Sequence, residues 1–398
     1  MKKITIPIVI VLFLLIGTVT AVLYGKGYRF GFTNGRPDLS GTGLLVTTST
    51  PDGAQVFVNG HLTTATNNTI NLSPGTFNVE IVKQGYFPWQ KTLDIKNEVV
   101  TKAEATLFPI APKLESITTT GVQNPVLDQS QTRIAYSVSS QSATTKNGVY
   151  ILDMSNRPIL TLQGASTQIA TDAVNAFSKS ILAWSPDGSQ LMATISAASG
   201  SETTYLLDPK TLNQTPSDVT ETLSSVNPIW QKQQTEKDKA QMDALPSNLK
   251  TVVADNFKIL SWSSDETKIL YTAKSTTSLP IIISPRLIGT NSTPEQRDLK
   301  KDAVYVYDIK EDRNYQILDS LTETENPLTW FPDSIHLIYV HNQKIDIMEY
   351  DATNQTTIYA GPFVDHYVFP WPDGSKIVIL TNLGNPAISP NLYTIELQ

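Results

Sequence analysis

Cysteine is absent from the 398 residues, and histidine occurs only four times. Without cysteine the chain has no disulfide, no thiolate nucleophile, no cysteine ligand for zinc and no site for lipoprotein acylation. The histidines lack the His-x-x-x-His spacing of a metal site, so each is interpreted as a hairpin or strand residue. They are His61, His336, His341 and His366. The sequence therefore predicts no metal ion and no cofactor.

Basic residues are fewer than acidic ones, 30 against 37, which gives a formal net charge of -7. A chain without a basic surplus lacks the field that non-specific nucleic-acid binding needs, so nucleic acid is not an expected partner. The mean hydropathy of -0.14 excludes a polytopic membrane protein, while 40% hydrophobic residues can fill cores. At about 150 residues per domain, the length allows two or three domains.

Signatures of catalysis are also missing. The sequence contains no Gly-x-Ser-x-Gly motif, which marks the nucleophile elbow of serine hydrolases. Several Pro-Asp-Gly turns occur, but each offers one carboxylate, far fewer than the about six to eight oxygen ligands of calcium. We therefore expect a protein that is not an enzyme, and we assign no catalytic residue.

A long apolar run begins the chain. Residues 4–24 carry no charged side chain, and about 20 such residues form a helix of about 30 Å, enough to cross a bilayer. Lys2 and Lys3 precede the run and favour a cytoplasmic tail at residues 1–3. The sequence thus predicts one transmembrane signal anchor, with the bulk of the chain extracytoplasmic.

The alternative to an anchor is a signal peptide that is cleaved after Ala21. Val19 and Ala21 are small enough for the two specificity positions before such a cut. Tyr24 and Tyr28 beyond the span favour the uncleaved anchor, because aromatic side chains concentrate at membrane interfaces. Residues 25–42, which are rich in glycine, are predicted to be a linker.

Residues 43–108 alternate between apolar and polar side chains with a period of two, which predicts β-strands. Asn59-Gly60 separates two such strands, and both residues tolerate the positive φ angles of a type I′ hairpin turn. About six strands of this kind fit in the segment. They predict a small β-sandwich.

Three spaced motifs in this segment carry a family resemblance: Pro51-Asp52-Gly53-Ala54, Leu72-Ser73-Pro74-Gly75 and Lys83-Gln84-Gly85-Tyr86. Together they resemble the PEGA domain, although Asp52 stands where that family usually has glutamate. PEGA domains are small extracytoplasmic β modules of surface proteins, so the resemblance implies a location in the cell envelope and no reaction.

Residues 113–398 contain an internal repeat of strand, turn and strand. Its clearest copies are Leu182-Ala183-Trp184-Ser185-Pro186-Asp187-Gly188 and Leu260-Ser261-Trp262-Ser263-Ser264-Asp265, with later copies at Trp330 and Trp371. All of these copies except the last are followed by a third strand that ends in aspartate. Three strands and a variable fourth per unit are typical of a β-propeller blade. The tryptophans recur at one repeat position and are predicted to lie in the blade cores.

The repeat resembles the TolB-like, WD-type β-propellers that share the Trp-Ser-Pro-Asp-Gly signature. Its spacing predicts five blades, with residues 113–117 supplying the last strand and closing the ring. A sixth blade is the alternative, because Asn227-Pro228-Ile229-Trp230 echoes Asn124-Pro125 and Asn326-Pro327. The fold class is therefore all-β: an N-terminal helix, a PEGA-like sandwich and a propeller.

Two insertions interrupt the repeat. Residues 231–249 are predicted to form a polar helix that caps one propeller face and ends before Pro246. Residues 274–301 contain an apolar run that is either tucked over the propeller or exposed to a partner. The side chains of this run that we predict to contact a partner are Leu279, Ile281, Ile282, Ile283 and Leu287.

These features together predict a membrane-anchored bacterial surface protein that acts as a binding or scaffold protein of the cell envelope. The propeller is the expected platform for a protein partner. A cell-wall or surface-glycan-binding module is the first alternative, favoured if exposed aromatic residues line one propeller face. A hydrolase or lyase of envelope polymers is the second, and it needs carboxylates or histidines clustered at the propeller mouth.

Overall fold

The computed structural model of the protein describes residues 2–25, 28–33, 36–140, 142–155, 166–321, 328–364 and 366–398. This chain divides into two compact units. Unit 1 comprises Met1–Ile110 and Ile283–Glu295, and unit 2 comprises Ala111–Ile282 and Gln296–Gln398. The predicted motif at Asn326-Pro327 lies outside the described residues.

Unit 1 begins with a single apolar helix, α1 (Lys2–Gly25). Its segment Pro7–Gly25 has a mean hydropathy of 2.6 and is not buried against the rest of the chain. Among the described residues, it is the one helix long and apolar enough to cross a membrane. Thr18 and Thr20 donate hydrogen bonds to backbone carbonyls one turn earlier, both at 2.8 Å, so their hydroxyls are satisfied within the helix.

A short hairpin follows the helix where the sequence predicted only a linker. It consists of β1 (Arg29–Thr33) and β2 (Arg36–Ser40), which pair in antiparallel register from Arg29 opposite Ser40 to Thr33 opposite Arg36. The linker predicted over 25–42 therefore contains two strands that the prediction lacked. The second strand, β2, lacks the alternating apolar pattern on which strand prediction depends.

The rest of unit 1 is a sandwich of a three-stranded sheet, β6-β3-β9, and a four-stranded sheet, β5-β4-β7-β8. The strands are β3 (Gly43–Thr50), β4 (Gln55–Val58), β5 (His61–Ala65), β6 (Asn68–Leu72), β7 (Gly75–Val82), β8 (Trp89–Ile95) and β9 (Val100–Thr106). Alternate side chains such as Leu45, Val56 and Ile81 are fully buried between the sheets. Asn59 and Gly60 have φ angles of 49° and 78°, as the predicted hairpin turn requires.

Unit 2 is built from four-stranded antiparallel sheets, five of them in the described residues. The first sheet contains β11 (Gln123–Leu127), β12 (Arg133–Val138), β13 (Gly148–Asp153) and β14 (Ser166–Thr171), and the second contains β15 (Ile181–Trp184), β16 (Leu191–Ser196), β17 (Glu202–Leu207) and β18 (Ser217–Asp218). The third sheet contains β19 (Phe257–Trp262), β20 (Lys268–Ala273), β23 (Val304–Asp308) and β24 (Arg313–Leu318). The fourth contains β25 (Leu328–Trp330), β26 (His336–His341), β27 (Lys344–Glu349) and β28 (Thr356–Ala360). A two-stranded pair, β21 (Thr277–Ser278) and β22 (Asp298–Leu299), lies in the connection between β20 and β23 of the third sheet.

The fifth sheet joins the two ends of unit 2. It contains β29 (Val368–Pro370), β30 (Lys376–Thr381) and β31 (Asn391–Glu396), and its fourth strand is β10 (Leu114–Ser116). Leu114 pairs with Ile395, and Ser116 pairs with Tyr393. The predicted pairing of the first segment with the last sheet is therefore observed, and it closes a β-propeller.

Neighbouring sheets pack face to face through the apolar side chains of their second and third strands. One cluster joins Ala135 and Ile151 of the first sheet to Leu191 of the second. Others join the third sheet to the fourth and the fifth to the first. Because the second strand is covered on both faces, it reads as a continuous apolar run rather than an alternating one.

Two helices connect the second sheet to the third: α2 (Leu223–Ala244) and α3 (Ser247–Asn256). The predicted helix at 231–249 thus begins eight residues too late and is two helices. The segment on which the alternative of a sixth blade was based, Asn227-Pro228-Ile229-Trp230, lies within the first turns of α2 rather than in a strand. Leu249 and Val253 of α3 are buried in the core of the third sheet.

Candidate binding cleft

The turns that join the first strand of each sheet to the second carry the repeated aspartates. We call them inner turns; they span residues 128–133, 185–190, 263–268, 331–336 and 371–376. In the second of them, Asp187 Oδ1 accepts hydrogen bonds from the Ser185 hydroxyl at 2.6 Å and from the Ser189 hydroxyl and N–H at 2.8 and 2.9 Å. These donors lower the pKa of Asp187 to about 2. This carboxylate is ionised, and its Oδ1 accepts hydrogen bonds from its own turn.

The inner turn of the third sheet repeats this arrangement. Asp265 accepts hydrogen bonds from the Ser263 hydroxyl at 2.7 Å and from the Thr267 N–H at 3.1 Å. Partial burial would raise the pKa of Asp265, but these donors and the Lys268 charge lower it to about 2. The repeated aspartates therefore hold the turns together, and none of the described carboxylates belongs to a group of three metal-ligating side chains.

Two histidines are bonded to carboxylates of the fourth sheet. His336 is buried, and its Nδ1 lies 2.6 Å from Asp333 Oδ2 in the inner turn. Burial would raise the pKa of Asp333, but the hydrogen bonds and charge of His336 lower it. His341 Nε2 lies 2.9 Å from Asp346 Oδ2 on neighbouring strands. Both side chains thus have structural partners.

Helix α2 contacts the inner turns of three different sheets. The contacts are side-chain hydrogen bonds of 2.5 to 3.4 Å, and they join Gln234 and Lys237 to Gln129, Gln233 to Asp187, and Gln241 to Glu266. No residue of α2 is buried. The helix is therefore held over this end of the propeller by polar contacts and by the half-buried Met242, which packs against the core cluster of the third sheet.

A cleft of about 760 Å³ opens between α2, the inner turns and strand β19. This size lies within the range of about 300–1,000 Å³ that is typical of ligand sites. Its walls are formed by Gln129, Ser130, Gln131, Gln234, Lys237, Asp238, Gln241, Met242, Ile259, Leu260, Ser261, Trp262, Ser263, Ser264 and Glu266.

Uncharged hydrogen-bonding groups dominate the cleft walls. Four glutamine amides and four serine hydroxyls contribute both donors and acceptors, whereas charged side chains are fewer and of both signs. Ser261 Oγ is buried and has no hydrogen-bond partner among the described residues. The half-buried Trp262 adds an aromatic side chain. This chemistry suits a neutral, polar ligand.

The four repeat tryptophans differ in burial. Trp330 and Trp371 are buried in blade cores, whereas Trp184 and Trp262 are half-buried. Trp184 donates from Nε1 to the Val126 carbonyl at 3.1 Å and lies under the Arg133 guanidinium. Only Trp262 among the four lines the cleft. Trp184 and Trp262 nevertheless pack against core clusters, as the sequence predicted for all four.

The predicted partner-contact residues in unit 2 are Leu279, Ile281 and Ile282. Leu279 is only 4% exposed and packs in the core cluster of the third sheet with Phe257. Ile282 is half-buried against the same cluster, and its N–H donates to Asp312 Oδ2 at 2.8 Å. Ile281 is exposed. Burial therefore removes Leu279 from any partner surface.

The other two predicted contacts, Ile283 and Leu287, belong to unit 1. They lie in the segment Ile283–Glu295, which we call the strap. Ile283 is half-buried and Leu287 is exposed, as is the neighbouring Ile288. The five predicted residues are thus divided between the two units.

Comparison with known protein families concerns the sandwich. Residues 42–110 match the model of the PEGA domain family, which confirms the predicted resemblance and extends its limits by one or two residues on each side. No curated protein matches the chain.

Solved structures similar to this chain include two TolB proteins. A putative TolB from Agrobacterium tumefaciens is 14% identical, with 68% of this chain and 70% of that chain covered and a TM-score of 0.21. TolB from Acinetobacter baumannii is 14% identical, with 81% and 60% covered and a TM-score of 0.22. An acylaminoacyl peptidase from Pyrococcus horikoshii is 13% identical, with 71% and 40% covered and a TM-score of 0.19. The propeller assignment rests on the closed set of sheets in unit 2.

Proposed function

We propose that this protein is a membrane-anchored scaffold of the cell envelope that binds a partner protein in the cleft beneath α2. Helix α1 is the uncleaved anchor, and the PEGA domain and propeller lie outside the membrane. The protein binds rather than catalyses, since the inner-turn carboxylates serve their own turns. The apolar, unburied segment Pro7–Gly25 supports the anchor.

The observation that carries the binding role is the composition of the cleft walls. Glutamine amides and serine hydroxyls pair with both N–H and C=O groups, and an extended polypeptide presents these two groups in alternation. The exposed helix α2 forms one wall and offers further contact area. A polypeptide segment of the partner, laid between α2 and β19, is the ligand that this arrangement supports best.

Site-specific cross-linking in native membranes tests the proposal. A photoreactive amino acid replaces Gln241, which lines the cleft, or Lys239, which is exposed on the same helix but does not line it. We expect one discrete protein adduct from position 241, retained in the carbonate-washed membrane pellet, and none from position 239. The same adducts from both positions, or none from either, would contradict the cleft as the binding site, and loss of the protein from the pellet would contradict the anchor.

Glycan binding is a second candidate because Trp262 lines the cleft. Aromatic rings with neighbouring amides and hydroxyls also suit sugars, which combine apolar faces with hydroxyl groups. Co-sedimentation with isolated cell-wall polysaccharide distinguishes the two ligands. Trp262→Ala should abolish pelleting, whereas Trp184→Ala, at the equivalent repeat position outside the cleft, should preserve it. If the unaltered protein does not pellet, the glycan candidate is wrong.

A further inference from the structure

The strap exposes an apolar tip at Leu287 and Ile288, which are 44% and 70% exposed. The tip is held against the turn between β8 and β9 of the sandwich. A Cβ added to Gly289 would lie only 2.9 Å from a Val99 methyl, so glycine permits this close approach. The Ser292 hydroxyl accepts the Asp94 N–H at 3.0 Å. The strap is thus fixed at one end of the sandwich.

The first strand of the sandwich, which follows the anchor in the sequence, begins at the same end. Strand β3 begins at Gly43, and the Leu44 N–H donates to the Val99 carbonyl at 3.0 Å. A Cβ added to Gly43 would lie 2.4 Å from the Lys96 carbonyl oxygen, in the same turn. The strap tip and the first residues of β3 therefore share a contact surface around Val99. We call it the anchor-side end.

The hairpin β1–β2 keeps the anchor-side end near the helix. Arg29 and Ser40 are register partners, so their Cα atoms are about 5 Å apart. Three residues from Ser40 to Gly43 add at most about 10 Å, whereas fourteen extended residues from Arg29 to Gly43 would span about 45 Å. The Tyr28 N–H donates to the Leu23 carbonyl at 2.9 Å, so the chain is still in contact with the helix there.

We propose that Leu287 and Ile288 insert into the interfacial layer of the bilayer that α1 spans, as a second and shallow membrane contact. The inference rests on the proposed function, because it requires α1 to be in the bilayer. Exposed apolar side chains beside a membrane are stabilised at the boundary between head groups and acyl chains. The adjacent Arg286 is paired with Glu295, so the tip brings no isolated charge to this layer.

The absence of cysteine makes a direct test straightforward. The full chain is reconstituted in vesicles of phosphatidylethanolamine and phosphatidylglycerol, with one cysteine that carries an environment-sensitive fluorophore. The labelled variants are Ile288→Cys in the tip, Ile110→Cys as a control, and Ile16→Cys in the anchor. Lipids with a nitroxide at a shallow or a deep acyl position quench the label according to its depth.

Ile110 is a matched control because it is 57% exposed and lies beyond the opposite end of the sandwich. Strands β3 and β9 run in parallel from Leu44 opposite Val100 to Thr50 opposite Thr106, a distance of about 20 Å. The Leu107 N–H then donates to the Thr50 carbonyl at 2.8 Å, which places the following residues at that far end.

We expect shallow nitroxides to quench the label at position 288, deep ones to quench it at 16, and neither to quench it at 110. Quenching at 16 with none at 288 would overturn this inference and leave the anchor intact. Absence of quenching at 16 would overturn the anchor and the inference with it. Equal quenching at 288 and 110 would also overturn the inference, because it would not be specific to the tip.

Discussion

The two insertions in the propeller are attached in opposite ways. Helix α2 has no fully buried residue, and it contacts the inner turns through polar side chains that are half-buried or exposed. The insertion at 274–301 instead leaves and rejoins unit 2 at residues 282 and 296, and both points are bonded to fully buried side chains, Asp312 and Asn314. Hydrogen bonds to buried side chains hold the ends of an insertion in one position. Contacts between side chains near the surface can instead be broken and remade at a small cost in free energy.

The buried network centres on Asp312, in the turn between β23 and β24. Its Oδ1 accepts from Arg297 Nη2 at 2.7 Å and from the Tyr307 hydroxyl at 2.6 Å, while Oδ2 accepts the Ile282 N–H. A buried carboxylate with three donors is strongly stabilised relative to one that has lost its partners. Both ends of the insertion therefore depend on one side chain.

Asn314 provides the second attachment. It accepts a hydrogen bond from the Tyr271 hydroxyl at 2.7 Å and donates to the Gln296 carbonyl at 2.6 Å. The Gln296 N–H returns a bond to the Asn314 carbonyl at 2.7 Å. Tyr271 stacks on Phe257 at the start of the third sheet. The attachment is thus continuous with the blade core.

The largest expected effect comes from Asp312→Asn. Asparagine keeps the shape and tolerates the φ of 52° at this position, but it removes the negative charge that lies 2.7 Å from the Arg297 guanidinium, which is 13% exposed. We expect the free energy of unfolding to fall by about 3–5 kcal/mol, measured by urea titration. Asp319→Asn, which alters an exposed ion pair with Lys300, should leave it unchanged.

A double variant distinguishes lost charge pairing from lost shape. Replacing Arg297 by methionine together with Asp312→Asn removes both charges of this buried pair. We expect the double variant to recover part of the stability lost in Asp312→Asn. If both variants are equally unstable, the network stabilises the fold through its geometry rather than through its charge pair.

Sequence patterns predicted the features that depend on neighbouring residues. The hairpin at Asn59-Gly60 follows from φ preferences of those two residues, and the inner turns follow from a local exchange of hydrogen bonds such as those at Asp187. The pairing of Leu114 with Ile395 was predictable because the repeat leaves one strand missing at its end. Each of these inferences needs only the local chain or the count of repeats.

The features that escaped prediction depend on distant residues. Asp312 lies 30 residues from Ile282, and no periodicity links them. The start of α2 was missed because Asn227-Pro228-Ile229-Trp230 echoes a motif of the blades, yet half-buried positions at 223, 226, 230 and 233 follow helical spacing. The cleft was missed because its walls come from an inner turn, a blade strand and an inserted helix, which only the fold brings together.

An intermediate effect is expected at the inner turns, and it should depend on pH. The pKa of Asp187 is lowered from an ordinary 3.8 to about 2, so its ionised form stabilises the fold above about pH 4, and this contribution disappears as the pH falls towards 2. Asp187→Asn should therefore be less stable than the unaltered protein at pH 7, with a difference that shrinks in acid. Urea midpoints between pH 7 and pH 2 measure it. A difference independent of pH would show that the charge of Asp187 is irrelevant.

The smallest effect on stability is expected at α2. Gln234→Ala combined with Gln241→Ala removes exposed hydrogen bonds to two inner turns, and the free energy of unfolding should change by less than about 1 kcal/mol. Amide hydrogen exchange should nevertheless become faster along α2, because the helix loses two of its side-chain bonds to the inner turns, while α3 remains protected by its buried Leu249 and Val253. If exchange in α3 accelerates equally, or if stability falls as far as in Asp312→Asn, then α2 is an integral part of the propeller core and the contrast between the two insertions is wrong.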